Sequence, residues 1–111
     1  MKDDIESYGV EVSDKLLSIF ETMEGFKIRD ELAGAKLTNE EAEMLSRHDA
    51  TLLRRAGEFE RFFSENGDPE KIFSDKPPEN WWWHIARIAS GKVSVDLAQR
   101  KVVYEGQTYK Y

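Results

Sequence analysis

Ala42, Leu45, Asp49, Leu52, Ala56, Phe59 and Phe63 alternate spacings of three and four residues. Residues repeating with that 3.5-residue period share one seam of an α-helix, and the seam has to be laid against something. In a chain of 111 residues this commitment leaves few folds open. Thr38 with Glu41 three positions later forms a capping box, so the helix is expected from 39 to about 65, where Asn66 and Gly67 stop it. Glu43/Arg47, Arg54/Glu58 and Arg61/Glu65 add i,i+4 charge pairs off the seam.

Asp49 is the exception within the seam. A carboxylate among apolar neighbours is costly unless it is paired or wet. One reading gives it a partner inside the fold, His84 or an arginine. The other makes it a register-setting polar group in a helix–helix interface, with part of the seam covered by another subunit, because no other helix in the sequence matches this one in length.

Toward the N-terminus, Ile5, Tyr8, Val12, Leu16, Ile19 and Met23 also keep helical spacing, with Leu17 and Phe20 widening the stripe. Gly9 interrupts the early turns, and Ser13 followed by Asp14 reads as an N-cap, which places the firm helix at 14–24 with Gly25 as its stop. A short helical segment, 27–33, is closed by Gly34. Beyond the seam, Asp68 and Pro69 read as the start of a brief helix carrying Ile72 and Phe73, and Lys76, Pro77 and Pro78 force extended backbone. Helix is expected again over 79–89.

After Ser90 and Gly91 the period changes to two. Val93, Val95 and Leu97 form one strand, and Val102–Tyr104 meets Thr108–Tyr111 across a two-residue turn at Glu105 and Gly106. Pairing Val102 with Tyr109 would put Val102, Tyr104, Tyr109 and Tyr111 on one face. The fold class expected is α+β, predominantly helical, with three to five helices followed by a small C-terminal antiparallel hairpin or meander. A single domain over 1–111 is expected, as a helical body (1–75) followed by the Trp-bearing helix and meander (76–111).

Trp81, Trp82 and Trp83 point about 100° apart on an α-helix, so at least one is expected near the surface; the other reading packs all three, two against the long helix and one under the C-terminal sheet, with each N–H finding a carbonyl. They stand beside Arg87, Tyr104, Tyr109 and Tyr111 in the only basic part of the chain. Residues 76–111 carry six Lys/Arg against three Asp/Glu, whereas 1–75 carry ten against nineteen. Trp, Tyr and Arg dominate interface energies, so these seven residues are the candidate binding surface. The same cations and rings would suit stacking on single-stranded RNA or DNA. Against that reading stand the net charge of −6 and the lack of an RNP or GxxG signature.

Catalytic residues are not assigned. Cys is absent, and His48 and His84 stand in no metal-ligand spacing, so no metal or other cofactor is expected. The run Glu40, Glu41, Glu43 resembles the acidic helix of metal-dependent all-helical nucleotide pyrophosphohydrolases, but the second acidic pair at helical spacing is missing. Complementing the helix dipole accounts for those residues more simply. Neither a signal peptide nor a membrane span is legible, so the expected location is cytoplasmic. The expectation is a non-enzymatic interaction or regulatory protein, an adaptor, inhibitor or antitoxin-like molecule that contacts a protein partner or itself. A nucleic-acid-binding module is second and a metal-dependent hydrolase third.

Overall fold

The computed structural model describes residues 2–67 and 75–111, and in it helix starts at once: α1 spans Lys2–Ser13 and α2 spans Ile19–Ala33. The segment expected to be a helix at 14–24 is therefore divided: 14–18 connect the two helices, and 19–24 are the start of α2. Ser13 and Asp14 end α1, with the Asp14 N–H donating to the Val10 carbonyl at 2.9 Å. The cap of α2 is Ser18, whose Oγ accepts from the Glu21 N–H at 3.1 Å. Gly34 closes α2 as expected, its N–H reaching the Glu31 and Leu32 carbonyls.

Helix α3 (Asn39–Arg54) begins with the expected box: Thr38 N–H donates to Glu41 Oε1 at 3.0 Å, and Glu41 N–H to Thr38 Oγ1 at 3.1 Å. The long seam helix is, however, two helices. Arg55 sits at φ −96°, ψ 11°, outside helical geometry, and α4 (Ala56–Asn66) restarts from its carbonyl, which accepts from the Glu58 and Phe59 N–H groups. Gly57, a poor helix former, lies in that first turn. Arg55, at the break, holds Glu58 at 3.0 Å. The Glu43/Arg47 pair forms at 2.9 Å.

The chain divides into two compact units, Met1–Leu52 and Leu53–Tyr111. In the first, α1 packs on α2, and the core holds Ile5, Tyr8 and Val12 of α1, Phe26, Arg29 and Leu32 of α2, and Leu45, Asp49 and Leu52 of α3. Gly25, expected to end a helix, lies within α2 where a Cβ would come 2.8 Å from the Glu11 Cβ of α1. Its role is close approach of two helices. Gly25→Ala should accordingly destabilise the unit by about 1–3 kcal/mol by overpacking, although alanine gains about 1 kcal/mol in helix propensity. Urea unfolding decides between the two, and a stabilised variant would mean that α1 and α2 separate freely. Gly9 plays the same part toward α3, with the His48 ring 2.5 Å from where its Cβ would be.

The second unit contains α4, a single 3₁₀ turn at Trp81–His84, α5 (Ile85–Ala89) and strands β1 (Val93–Asp96), β2 (Lys101–Tyr104) and β3 (Gln107–Lys110). Helix α4 packs on α5, and α5 on β1. The strands form an antiparallel meander in the order β1-β2-β3. Val102 pairs with Tyr109 as expected, across a turn in which Glu105 (φ 50°) and Gly106 (φ 80°) both adopt the positive φ of a type I′ hairpin. The fold is α+β with helix dominant and a C-terminal antiparallel sheet. The brief helix expected around Asp68–Phe73 lies outside the described residues.

Candidate functional site

In the N-terminal unit the seam carboxylate finds its partners on the other two helices. Arg29 Nε and Nη2 donate to Asp49 Oδ1 and Oδ2 at 3.0 and 3.1 Å, a two-pronged pairing, and the Tyr8 hydroxyl donates to Oδ1 at 2.7 Å. All three side chains are buried. Of the two readings of Asp49, the structure places an arginine beside it within the chain. The guanidinium also lies 6.0 Å from the Tyr8 ring centroid, so one charge serves the carboxylate and the ring.

Burial pushes the Tyr8 phenol well above 10, Asp49 adding to the shift and Arg29 opposing it. The sign of the linkage follows. The unfolded chain releases the Tyr8 proton near pH 10 while the folded chain holds it, so this contribution to stability is complete below pH 10 and is lost as pH rises above it. Unfolding free energies measured from pH 9 to about 11.5 should fall more steeply for the wild type than for Tyr8→Phe. Parallel slopes would mean that the phenol ionises freely in the folded protein.

The connection between α1 and α2 presents a different surface. Leu17 is 69% exposed and Phe20 81% exposed, the two most exposed large apolar side chains among the described residues. The Ser18 cap fixes the phase of α2 so that Thr22, Gly25, Phe26, Arg29 and Leu32 turn inward. Phe20 then shares the outer face with Glu24, Lys27 and Glu31. Lys27 is engaged with Glu24 at 3.4 Å. Glu11, half-buried on α1, has its carboxyl raised above the ordinary value by burial first, then by the charges of Glu21 and Asp14. The connection is thus apolar at its crest and acidic around it.

The candidate binding residues lie in the C-terminal unit, and for the tryptophans the packed reading is the one that holds. All three tryptophans are buried, none near the surface. They stand on a single 3₁₀ turn whose four side chains, leaving it in different directions, are all buried. A surface α-helix could not do this. Trp81 meets Trp82 edge-on at 5.7 Å and Tyr111 at 6.0 Å, while Lys76 Nζ stands 4.4 Å from the Trp83 ring centroid. Buried Trp81 Nε1 has no hydrogen-bond partner among the described residues.

His84 is buried beside them and donates Nε2–H to the Lys76 carbonyl at 2.9 Å, its ring edge against Tyr104 at 5.1 Å. Arg87 donates to the Tyr104 hydroxyl and lies 5.3 Å from that ring, and Arg100 lies 5.5 Å from the Tyr111 ring. The register puts Val93, Val95, Val102, Tyr104 and Tyr109 on one sheet face, where Val93 and Val102 are buried and the others half-buried. Ser94, Asp96, Val103, Thr108 and Lys110 stand exposed or half-exposed on the other face, with Lys101. Thus Trp81 meets Trp82 and Tyr111, Tyr104 is held by His84 and Arg87, and the Tyr109 hydroxyl donates to Gln107.

Among the described residues no group of three or more His, Asp or Glu side chains is placed to hold a metal ion, and no helix is long and apolar enough to cross a membrane. The chain matches no protein-family model, no curated protein and no solved structure. Leu17 and Phe20, which the sequence reading assigned to a helical stripe, had a legible signal. Ser18 followed by Glu21 is the first half of a capping box, and it restarts the helix one residue before Ile19.

Proposed function

We propose that this protein acts by binding another protein, and that the connection between α1 and α2 is the part that does so. The supporting observation is the exposure of Leu17, at the end of the connection, and of Phe20, in the first turn of α2, on either side of the Ser18 cap. Large apolar side chains kept in water on an ordered turn are surfaces that association would cover. The Trp cluster does not supply such anchors, because its three rings are buried. An adaptor or an inhibitor of a partner protein fits this arrangement.

The nucleic-acid reading draws less support. The Tyr104 and Tyr111 rings on which bases would stack already carry Arg87 and Arg100. Affinity capture from nuclease-treated lysate, compared between the wild type and a Leu17→Ser/Phe20→Ser variant, tests the proposal. A protein retained by the wild type and lost with the variant supports it. Equal capture by both proteins, or capture that disappears with nuclease, counts against it.

A further inference from the structure

We infer that the segment docking on the α1–α2 connection is cationic and amphipathic, with apolar anchors flanked by Lys or Arg. This rests on the reading of that connection as a protein-binding surface and adds the chemistry of its occupant. Three observations lead to it.

First, the apolar crest stands among carboxylates. Glu11, Asp14 and Glu21 are close enough for the latter two to resist ionisation of the first, and Glu24 and Glu31 continue along the outer face of α2 from Phe20. Lys15 is the cation within the connection, and Lys27 is already engaged with Glu24. Second, the whole unit is acidic, with thirteen Asp/Glu against six Lys/Arg over residues 1–52. Arg29 and Asp49 are buried against each other and cancel, which leaves twelve carboxylates against five cations to set the outer field. Third, Val10 on the last turns of α1 is 56% exposed, so apolar surface extends to the α1 end of the connection, whose last helical bond runs from Asp14 N–H to the Val10 carbonyl.

Like charge disfavours the other occupants. A second copy meeting this surface face to face would bring Asp14, Glu21 and Glu24 against their own counterparts. Nucleic acid and anionic lipid would meet the same repulsion. A cationic segment gains on both counts, because its charges relieve the crowding of carboxylates while its apolar side chains cover Leu17 and Phe20. Electrostatic attraction of this kind raises the rate of encounter and is weakened by salt.

The probes are three synthetic helical peptides with leucines at one helical face and Lys, Gln or Glu at the remaining positions, each fluorescently labelled and titrated with the full chain. The Leu/Lys peptide is expected to bind most tightly, with affinity falling as salt is raised from 50 to about 300 mM. Leu17→Ser/Phe20→Ser and, separately, Asp14→Lys/Glu21→Lys should each weaken it by roughly tenfold or more. Glu40→Lys/Glu41→Lys, in the first turn of α3, should change it less than about threefold, which separates the docking surface from general attraction to an acidic protein. Circular dichroism confirms that each variant is folded.

Equal binding of the Leu/Gln and Leu/Lys peptides would overturn the cationic character while leaving a protein-binding connection in place. Failure of the Leu/Lys peptide to bind, or equal weakening by both charge-reversed pairs, would overturn the inference itself. A mass by light scattering that rises with concentration and is lost on Phe20→Ser would replace the cationic segment with a second copy.

Discussion

Replacing Asp49 by alanine is expected to remove about 3–5 kcal/mol from the stability of the N-terminal unit, because the substitution leaves a buried guanidinium without its counter-charge. Arg29 is 2% exposed and reaches Asp49 with two donors, and the Tyr8 hydroxyl loses its acceptor in the same step. Three helices meet in this network, Tyr8 from α1, Arg29 from α2 and Asp49 from α3. Its loss therefore loosens the whole unit. The double variant Asp49→Leu/Arg29→Met should recover most of that loss, since replacing a buried pair by apolar side chains of similar volume is often close to neutral. Urea unfolding followed by far-UV circular dichroism, with amide exchange in α1 to α3 to localise the change, measures both. A single-variant loss below about 1 kcal/mol would show that Arg29 turns out to water when its partner is removed.

That network also shows how far the sequence could be read. The anomaly at Asp49 is visible at once, because a carboxylate breaks an otherwise apolar seam. Its partner is not, because Arg29 reads as an ordinary surface cation until α2 is given its correct phase. The phase was lost at Asp14–Ser18, where helical spacing continues through residues that are not helical. Apolar periodicity reports what a helix would bury if it were continuous, and only the cap at Ser18 reports that it is not. With the helix restarted there, Leu17 and Phe20 leave the core and Thr22 and Arg29 enter it.

The break at Arg55 is harder to foresee, since the seam stays buried through Leu45, Asp49, Leu52, Ala56, Phe59 and Phe63 on both sides of it. Period alone does not mark a one-residue interruption that preserves the spacing. The C-terminal meander was the most legible part, because alternation and a turn with Gly at its second position determine the register locally. The tryptophans leave two readings open for a related reason. Their angular spread argues against burying all three only on an α-helix that lies on a surface, whereas here they stand on a single 3₁₀ turn and all three are buried.

Burial of that turn gives the second large expectation, that Trp83→Ala costs roughly 3–5 kcal/mol of stability, the range for truncating a buried aromatic side chain. Trp83 is 1% exposed and its ring receives the Lys76 ammonium at 4.4 Å, so the substitution removes both packing and a cation–π contact. Trp81→Phe should be milder, below about 2 kcal/mol, because it deletes an indole N–H that is buried without a partner among the described residues and so carries a desolvation cost of its own. Guanidinium unfolding followed by tryptophan emission reads this unit alone, since Trp81, Trp82 and Trp83 all lie within Leu53–Tyr111. Each variant keeps two indoles as reporters. If Trp83→Ala lowers stability by less than about 1 kcal/mol while abolishing capture of a protein partner, the ring is a surface anchor and the binding surface belongs to this unit. If stability falls as expected and capture persists, the Trp cluster is core, and the partner is held elsewhere on the chain.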